Sequence, residues 1–411
     1  MSRKKFTIMF VVTSLILFIV FLYYNLLDFY VLILLNAAII LYLLSKNGNF
    51  KLLLLIFVQW LIYFPLLLVH KFITPMIGSG DDDLRFEVLA KSFYNSYVYG
   101  TAVNVFQEST TYPKFLALFY SIGKDHELTA GLINITVHSV IIILIYKIYI
   151  LVFENSKGAI LTATLFTIYP VTMFNTVLTL REIIITLFVV LFVYFLLKYH
   201  TERNIVHLFI SLLVIGIGSL FHIGLIALFV ATGVYFLLFS DMSKFGKVMI
   251  GVTSLLIVVA FVLTTSNSKI TSTLGGGESQ PTNEIRSTAR ADYITPQESV
   301  SISGKAKQIV YFVTKPFPWE VRNFSDITGF FNIFFILLSF IIAIDVYRKT
   351  NNRKILIILI VVFISYGLFA FGTYNYGTAL RHRDKYSLLL MMFISYYLVN
   401  RKKEKNYVSK T

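Results

Sequence analysis

Long uncharged apolar runs, such as Phe10–Leu27 and Ile183–Leu197, constrain this chain more than any other feature. About 18 or more apolar residues in a row suffice to cross the hydrocarbon core of a bilayer as a helix. In lipid, only helices and closed barrels satisfy their own backbone groups. The runs are continuous rather than alternating, so they specify an all-α, polytopic helical bundle and not a β-barrel. Composition agrees. Of 411 residues, 57% are hydrophobic and 14% charged, more apolar surface than a soluble chain keeps from water.

Hydropathy places about twelve transmembrane helices, near 6–25, 29–45, 52–72, 129–152, 158–174, 183–198, 205–220, 223–239, 248–265, 328–346, 355–371 and 386–400. The first run follows Arg3, Lys4 and Lys5, but it is too long for the apolar region of a signal peptide, and further spans follow at once. The pair 205–220 and 223–239 is separated only by Phe221-His222, and charge decides that it is a pair. With two spans there, the short basic connectors all fall on one side, among them Lys46/Lys51, Lys198/Arg203, Lys244/Lys247 and Arg348/Lys349/Arg353/Lys354. The positive-inside rule makes that side cytoplasmic, with both termini. The net charge of +15 then reports loops facing an anionic leaflet, not nucleic acid. The chain has no cysteine, which excludes a disulfide framework, thiolate ligands and a cysteine nucleophile.

This topology gives a single membrane domain, 1–411, with two large outer loops, 73–128 and 266–327. Three small outer sites accompany them: the Arg181-Glu182 corner, the His222 corner and the segment 372–385. Polar chemistry is concentrated on that face. The first loop opens on Gly78-Ser79-Gly80-Asp81-Asp82-Asp83. A carboxylate just above the bilayer suits a general base for a sugar hydroxyl, or a ligand for a divalent cation. The bland alternative is a solvated acidic cap. Helical spacing follows at Leu84, Val88, Leu89 and Phe93, and again after Tyr112-Pro113, so two helices are expected, lying in the interface or packed on the bundle.

Arg181 and Glu182 stand at the outer end of the sixth span, where ionisable residues are costly and mark function by default. They need not pair, because helix neighbours point about 100° apart. His222 fits a structural role as well as a substrate contact. Asn134 and His138, four apart in the fourth span, fit interhelical glue. The stretch Lys315-Pro316-Phe317-Pro318-Trp319-Glu320-Val321-Arg322 serves either as an aromatic re-entry belt or as a sugar platform, with Trp319 stacking and Arg322 on phosphate. Gly275-Gly276-Gly277 looks like a flexible stretch. The segment Gly377-Thr378-Ala379-Leu380-Arg381-His382-Arg383-Asp384-Lys385 puts basic residues on a short outer loop, against the charge rule. An anionic headgroup would account for that, since Arg grips phosphate with two donors. A local ion pair would too.

Acids opening a loop with interfacial helices, then a Tyr-Pro, then an Arg-Glu closing a span, resemble the polyprenyl-phosphate-dependent membrane glycosyltransferases of the GT-C class. Pro316-Phe317-Pro318-Trp319 and the segment 377–383 are similar to pieces of membrane proteins of bacterial polysaccharide clusters, among them oligosaccharide repeat-unit polymerases of the Wzy type. The resemblance implies sugar transfer from an undecaprenyl-linked donor to a glycan acceptor at the outer face of a bacterial cytoplasmic membrane. Capsule or exopolysaccharide assembly, alone or in a complex, would be the setting. It places the base among Asp81, Asp82 and Asp83, with Arg181, Arg381 and Arg383 on the donor's phosphate. Glu182, His222, Trp319, Arg322 and His382 complete the expected substrate contacts, and no cofactor is expected. One departure stands out: in mannosyltransferase-type members the acid follows the first span, and here it follows the third. A lipid-linked glycan flippase is the rival, but its ionisable groups would lie near the midplane, and the central parts of these spans are nearly free of them.

Overall fold

A computed structural model describes residues 12, 15–16, 18–45, 49–107, 109–123, 127–240, 243–264, 292–295, 298 and 301–408. The glycine stretch 275–277 lies outside them, as does part of the first expected span. Where hydropathy gives one membrane domain, residue contacts divide the chain into two compact units. One comprises Met1–Val140 and Met173–Ile183, the other Ile141–Thr172 and Ile184–Thr411.

The regular elements among the described residues are all helices, with one isolated bridge pairing Asp292 with Asn375. In the first unit, α1 (Leu27–Ser45), α2 (Phe50–Phe72) and the first part of α5 (Thr129–Phe153) are apolar helices joined by polar contacts. Thr129 donates to Asp28 Oδ2 (2.8 Å), Asn36 to Thr136 Oγ1 (2.9 Å) and Ser139 to Gln59 Oε1 (2.8 Å), while Tyr63 meets His138 Nε2 at 3.2 Å. In an apolar solvent such bonds hold helices together where no hydrophobic drive exists. Gly131 permits a close approach, since a Cβ there would lie 2.3 Å from Leu67 Cδ1.

Between α2 and α5 lie α3 (Asp82–Tyr99) and α4 (Thr111–Ser121). Their buried faces are Phe86, Leu89, Ala90 and Phe93 on α3, and Tyr112, Leu116, Ala117 and Tyr120 on α4. The two pack on each other through Leu89, Phe93 and Ala117. Leu84 and Val88, on the other side of α3, stay exposed, as an interfacial helix requires. Gly100 ends α3 in the left-handed region at φ 68°, a conformation without penalty only for glycine.

The second unit continues α5 and adds α6 (Ser156–Ile168), which turns by 59° at Tyr169-Pro170 into the start of α7 (Pro170–Val177). Proline removes a donor and clashes one turn back, so the span breaks there. From α8 (Glu182–Glu202), the residues after Ile183 belong to this unit, as do α9 (Ile205–Phe221), α10 (Ala227–Phe239), α11 (Lys244–Thr264), α12 (Ile302–Thr314), α13 (Phe324–Thr350), α14 (Arg353–Phe371) and α15 (Tyr376–Val408). His222 caps the end of α9 and its Nδ1 accepts from Gly224 N (3.0 Å), so the chain does part at Phe221-His222.

Among the described residues, five helices are long and apolar enough to cross a membrane: α2, α5, α8, α13 and α14. The bent pair makes a sixth. Leu27–Leu43, Ile205–Phe221 and Ile223–Phe239 are apolar but shorter, near the limit at 1.5 Å of rise per residue. Helices therefore lie where spans were expected, but twelve long ones are not seen. One expectation is corrected. Residues 376–385 are not a loop but the first turns of α15. Asn375 starts that helix by accepting from Thr378 N at 2.8 Å. Tyr376, Ala379, Leu380 and Arg383 then form its buried face, a helical period that the run of charges masks.

Candidate active site

In the first unit, the acidic turn and the Arg181-Glu182 corner come together. Gly78 and Gly80 adopt φ of +90° and +115°, open only to glycine at low cost. The turn they shape closes on Asp83, whose side chain is buried. Its Oδ1 accepts from Gly80 N (2.9 Å) and Asp81 N (3.1 Å), and its Oδ2 accepts from Ser79 Oγ (2.5 Å). Asp83 thus builds the turn. Asp81 is exposed and paired with Arg85 at 3.3 Å. Asp82 is half-buried in the first turn of α3, where the helix dipole favours a carboxylate. The three carboxylates do not converge, and no His/Asp/Glu group suited to a metal ion occurs among the described residues.

One turn further along α3, Glu87 forms an ion pair with Lys71 at the end of α2, and Thr179 donates to the same carboxylate. Phe86 packs edge-on against Tyr112 of α4 at 5.3 Å, and the Arg181 guanidinium lies over its ring at 5.6 Å. Arg181 also donates to Ser109 Oγ. The strand of chain before Arg181 is pinned by Asn134, whose amide donates to the carbonyls of Leu178 (3.0 Å) and Leu180 (3.1 Å). A Cβ on Gly78 would lie 3.6 Å from Leu178, so the acidic turn touches this segment directly. Glu182, the first residue of α8, is buried. Burial holds the Tyr112 phenol well above its ordinary range, and the charges of Tyr120, Glu182 and Glu87 push the same way. Tyr112 therefore stays a protonated donor beside two carboxylates.

The other expected residues belong to the second unit. His222 and His382 meet edge to face at 5.2 Å, each packed on Phe369 (5.1 and 4.8 Å). Lys385, fully buried, approaches His382 Nδ1 at 2.8 Å. Arg381 is half-buried. Arg383 is not displayed as the charge rule implied. It is fully buried, and its guanidinium donates to the carbonyls of Val313 (2.9 Å) and Lys315 (3.2 Å). Trp319 is 77% exposed on a short 3-10 turn, Pro318–Glu320. Glu320 fixes that turn through Lys315 and Phe317 N (2.7 Å). Arg322 is exposed.

Residues 107–266, less than half of the chain, match the family model of dolichyl-phosphate-mannose-protein mannosyltransferases. The chain is similar to GT-C-type membrane glycosyltransferases. No curated protein and no solved structure matches it. The matched stretch contains Ser109, Tyr112, Asn134, Arg181, Glu182 and His222, and leaves Asp81–Asp83 and the segment 381–385 outside.

Lys71, Glu87, Ser109, Tyr112 and Thr179 were not singled out by sequence as site residues. Lys71 carried a signal, a cation at the outer end of an apolar run. Glu87 looked like one charge on a solvated helix face, and only the fold gives it partners.

Proposed function

We propose that this protein is a membrane glycosyltransferase that takes sugar from a polyprenyl-phosphate-type lipid carrier, undecaprenyl in a bacterium, at the outer face of the cytoplasmic membrane. The observation that carries this is the contact, in one unit, between the acidic turn of α3 and the Arg181-Glu182 corner. Asp82, half-buried in the first turn of α3 beside the turn that Asp83 builds, is the base. As the acceptor hydroxyl attacks the anomeric carbon of the donor, its proton passes to Asp82. The bond from that carbon to the carrier's phosphate oxygen breaks, and Arg181 stabilises the negative charge that develops. Glu182 and the protonated Tyr112 orient sugar hydroxyls.

Two products are open to such chemistry. Block transfer would make the protein a polymerase of capsule or exopolysaccharide repeat units. Transfer of one sugar to an envelope glycan is favoured by the mannosyltransferase match. Protein in nanodiscs, given a labelled polyprenyl-phosphate sugar or a polyprenyl-pyrophosphate oligosaccharide and a glycan acceptor, separates them. A single added sugar indicates the transferase, and a ladder of products indicates the polymerase. Movement of lipid-linked glycan across the bilayer without any transfer would replace both with a flippase.

A further inference from the structure

The charge rule assigns the connectors at Lys198/Arg203 and Arg348/Lys349/Arg353/Lys354 to one side of the bilayer, but it does not require them to converge. In the second unit they do. α8 gives way at Arg203, in the left-handed region at φ 55°, and Asn204 then caps α9. α13 ends at Asn351 in the same conformation, at φ 48°, and Asn352 then caps α14. His200 Nδ1 and the Tyr235 hydroxyl, 3.2 Å apart, join the end of α8 to the last turns of α10, and α10 packs along α14. The Lys354 ammonium donates to the Leu151 carbonyl (2.8 Å) and the Asn352 amide to the Val152 carbonyl (2.9 Å), which adds the end of α5. The charges of Arg203, Arg353 and Lys354 all bear on His200, so the three cations gather around one point.

The described residues do not neutralise them. Glu202 is engaged by Lys198 (2.7 Å) and His207 (3.3 Å), and Asp345 by Lys349 (2.8 Å). The exposed Glu154, just beyond α5, pairs with none of the three. Arg203 and Arg353 are exposed, and the Lys354 ammonium keeps two further N–H donors. Arg353 and Lys354 also occupy the first turn of α14, where the helix dipole opposes a cation and favours an anion. One phosphate group would relieve both the mutual repulsion and the unfavourable helix end, held by two guanidinium forks and an ammonium. The chain after Arg203 decides what carries that phosphate. Ile205, Val206, Phe209 and Leu213 lie at helical spacing on α9, each more than half exposed. They form an apolar stripe that starts two residues from the cations and suits acyl chains.

We propose that Arg203, Arg353 and Lys354 bind the headgroup of an anionic phospholipid whose acyl chains lie along α9. On the topology read from the charges, this lipid belongs to the cytoplasmic leaflet. The site is independent of the sugar-transfer chemistry. The test is native mass spectrometry of the full chain in detergent, titrated with phosphatidylglycerol, phosphatidylcholine or glycerol phosphate. The parent should bind phosphatidylglycerol about tenfold more tightly than phosphatidylcholine. Arg203→Gln and Arg353→Gln should each lower phosphatidylglycerol affinity roughly fivefold. Both should leave phosphatidylcholine binding and the lipid-free melting temperature unchanged, since these side chains are exposed. Lys157→Gln, at an exposed cation outside the three, should change nothing. Equal affinity of the parent for the two lipids, or an equal loss in Lys157→Gln, means diffuse attraction to charge and overturns the site. Glycerol phosphate binding as tightly as phosphatidylglycerol makes this a site for a soluble phosphate and overturns the lipid assignment.

Discussion

Substitution of Arg383 distinguishes a guanidinium that grips substrate from one that holds the fold. Its two terminal nitrogens donate to the carbonyls of Val313 and Lys315, at 2.9 and 3.2 Å, in a site with no solvent exposure. Those carbonyls lie at the end of α12, where a helix leaves its last acceptors without intrahelical partners. Tyr366 and Ser387 in turn donate to the Arg383 carbonyl, so the residue ties α12, α14 and α15 together. Lysine brings a point charge without the fork, and reaches one carbonyl at most. Loss of one charge-assisted bond costs about 1.5–3 kcal/mol. Arg383→Met strands both carbonyls at about 1–3 kcal/mol each, less the relief of not burying a charge, for roughly 2–4 kcal/mol. For a chain of this size, Arg383→Lys should lower the melting temperature by on the order of 2–4 °C. Thermal scanning of protein in nanodiscs, beside the affinity for polyprenyl phosphate, reads both. The expected result is a lower melting point with donor affinity near the parent's. A Lys variant that melts with the parent but binds donor tenfold more weakly would refute the structural role and return Arg383 to the phosphate.

Asp82→Asn should reduce sugar transfer by about 10²–10⁴-fold with normal melting, whereas Asp83→Asn should lower the melting point and Asp81→Asn should change little; full transfer by Asp82→Asn removes it as the base. Glu87→Gln leaves Lys71 buried without its anion and should destabilise by about 2–3 kcal/mol, the pair being partly exposed. Lys71→Met with Glu87→Met should recover part of that loss, and strictly additive losses would show that the two are not coupled. Ile302, 90% exposed at the start of α12, offers a probe in a chain without cysteine: Ile302→Cys should react with a membrane-impermeant thiol reagent in intact cells, and labelling only after lysis would place this loop inside.

Much of this was legible in the sequence, for physical reasons. Apolar runs must be helices in lipid, so α2, α5, α8, α13 and α14 could be read directly, and charge bias found the division at His222 between two short apolar helices. Asp81–Asp83, Arg181 and Glu182 stood out because charge at a membrane boundary is expensive. Composition could not divide the labour within the acidic run. Which carboxylate turns inward depends on the positive φ at Gly78 and Gly80 and on the donors that turn aligns. Arg383 was misplaced because a charge-counting rule assigns a side, not a rotamer. A buried arginine on a helix and an exposed arginine in a loop have the same sequence. Lys71 and Glu87 escaped because their value lies in a pairing across 16 positions and two helices.

The polar links around the site also bear on when it forms. Glu87 joins α2 to the segment before Arg181 through Lys71 and Thr179. Asn134, from a span, holds the carbonyls of Leu178 and Leu180. Arg181 rests on Phe86 and Ser109, which brings α3 and the start of α4 into the same cluster. Each link crosses between elements far apart in the chain, and none needs substrate to complete it. Donors and charges fixed in advance around a developing negative charge do not have to reorganise during the reaction, which is the larger part of electrostatic catalysis. A base delivered by a rigid helix start, rather than by a mobile loop, likewise holds the acceptor hydroxyl in line for attack. On the proposed chemistry, the acidic turn and the Arg181-Glu182 corner would be assembled before donor or acceptor arrives, and substrate binding would have only to bring the hydroxyl and the anomeric carbon to them.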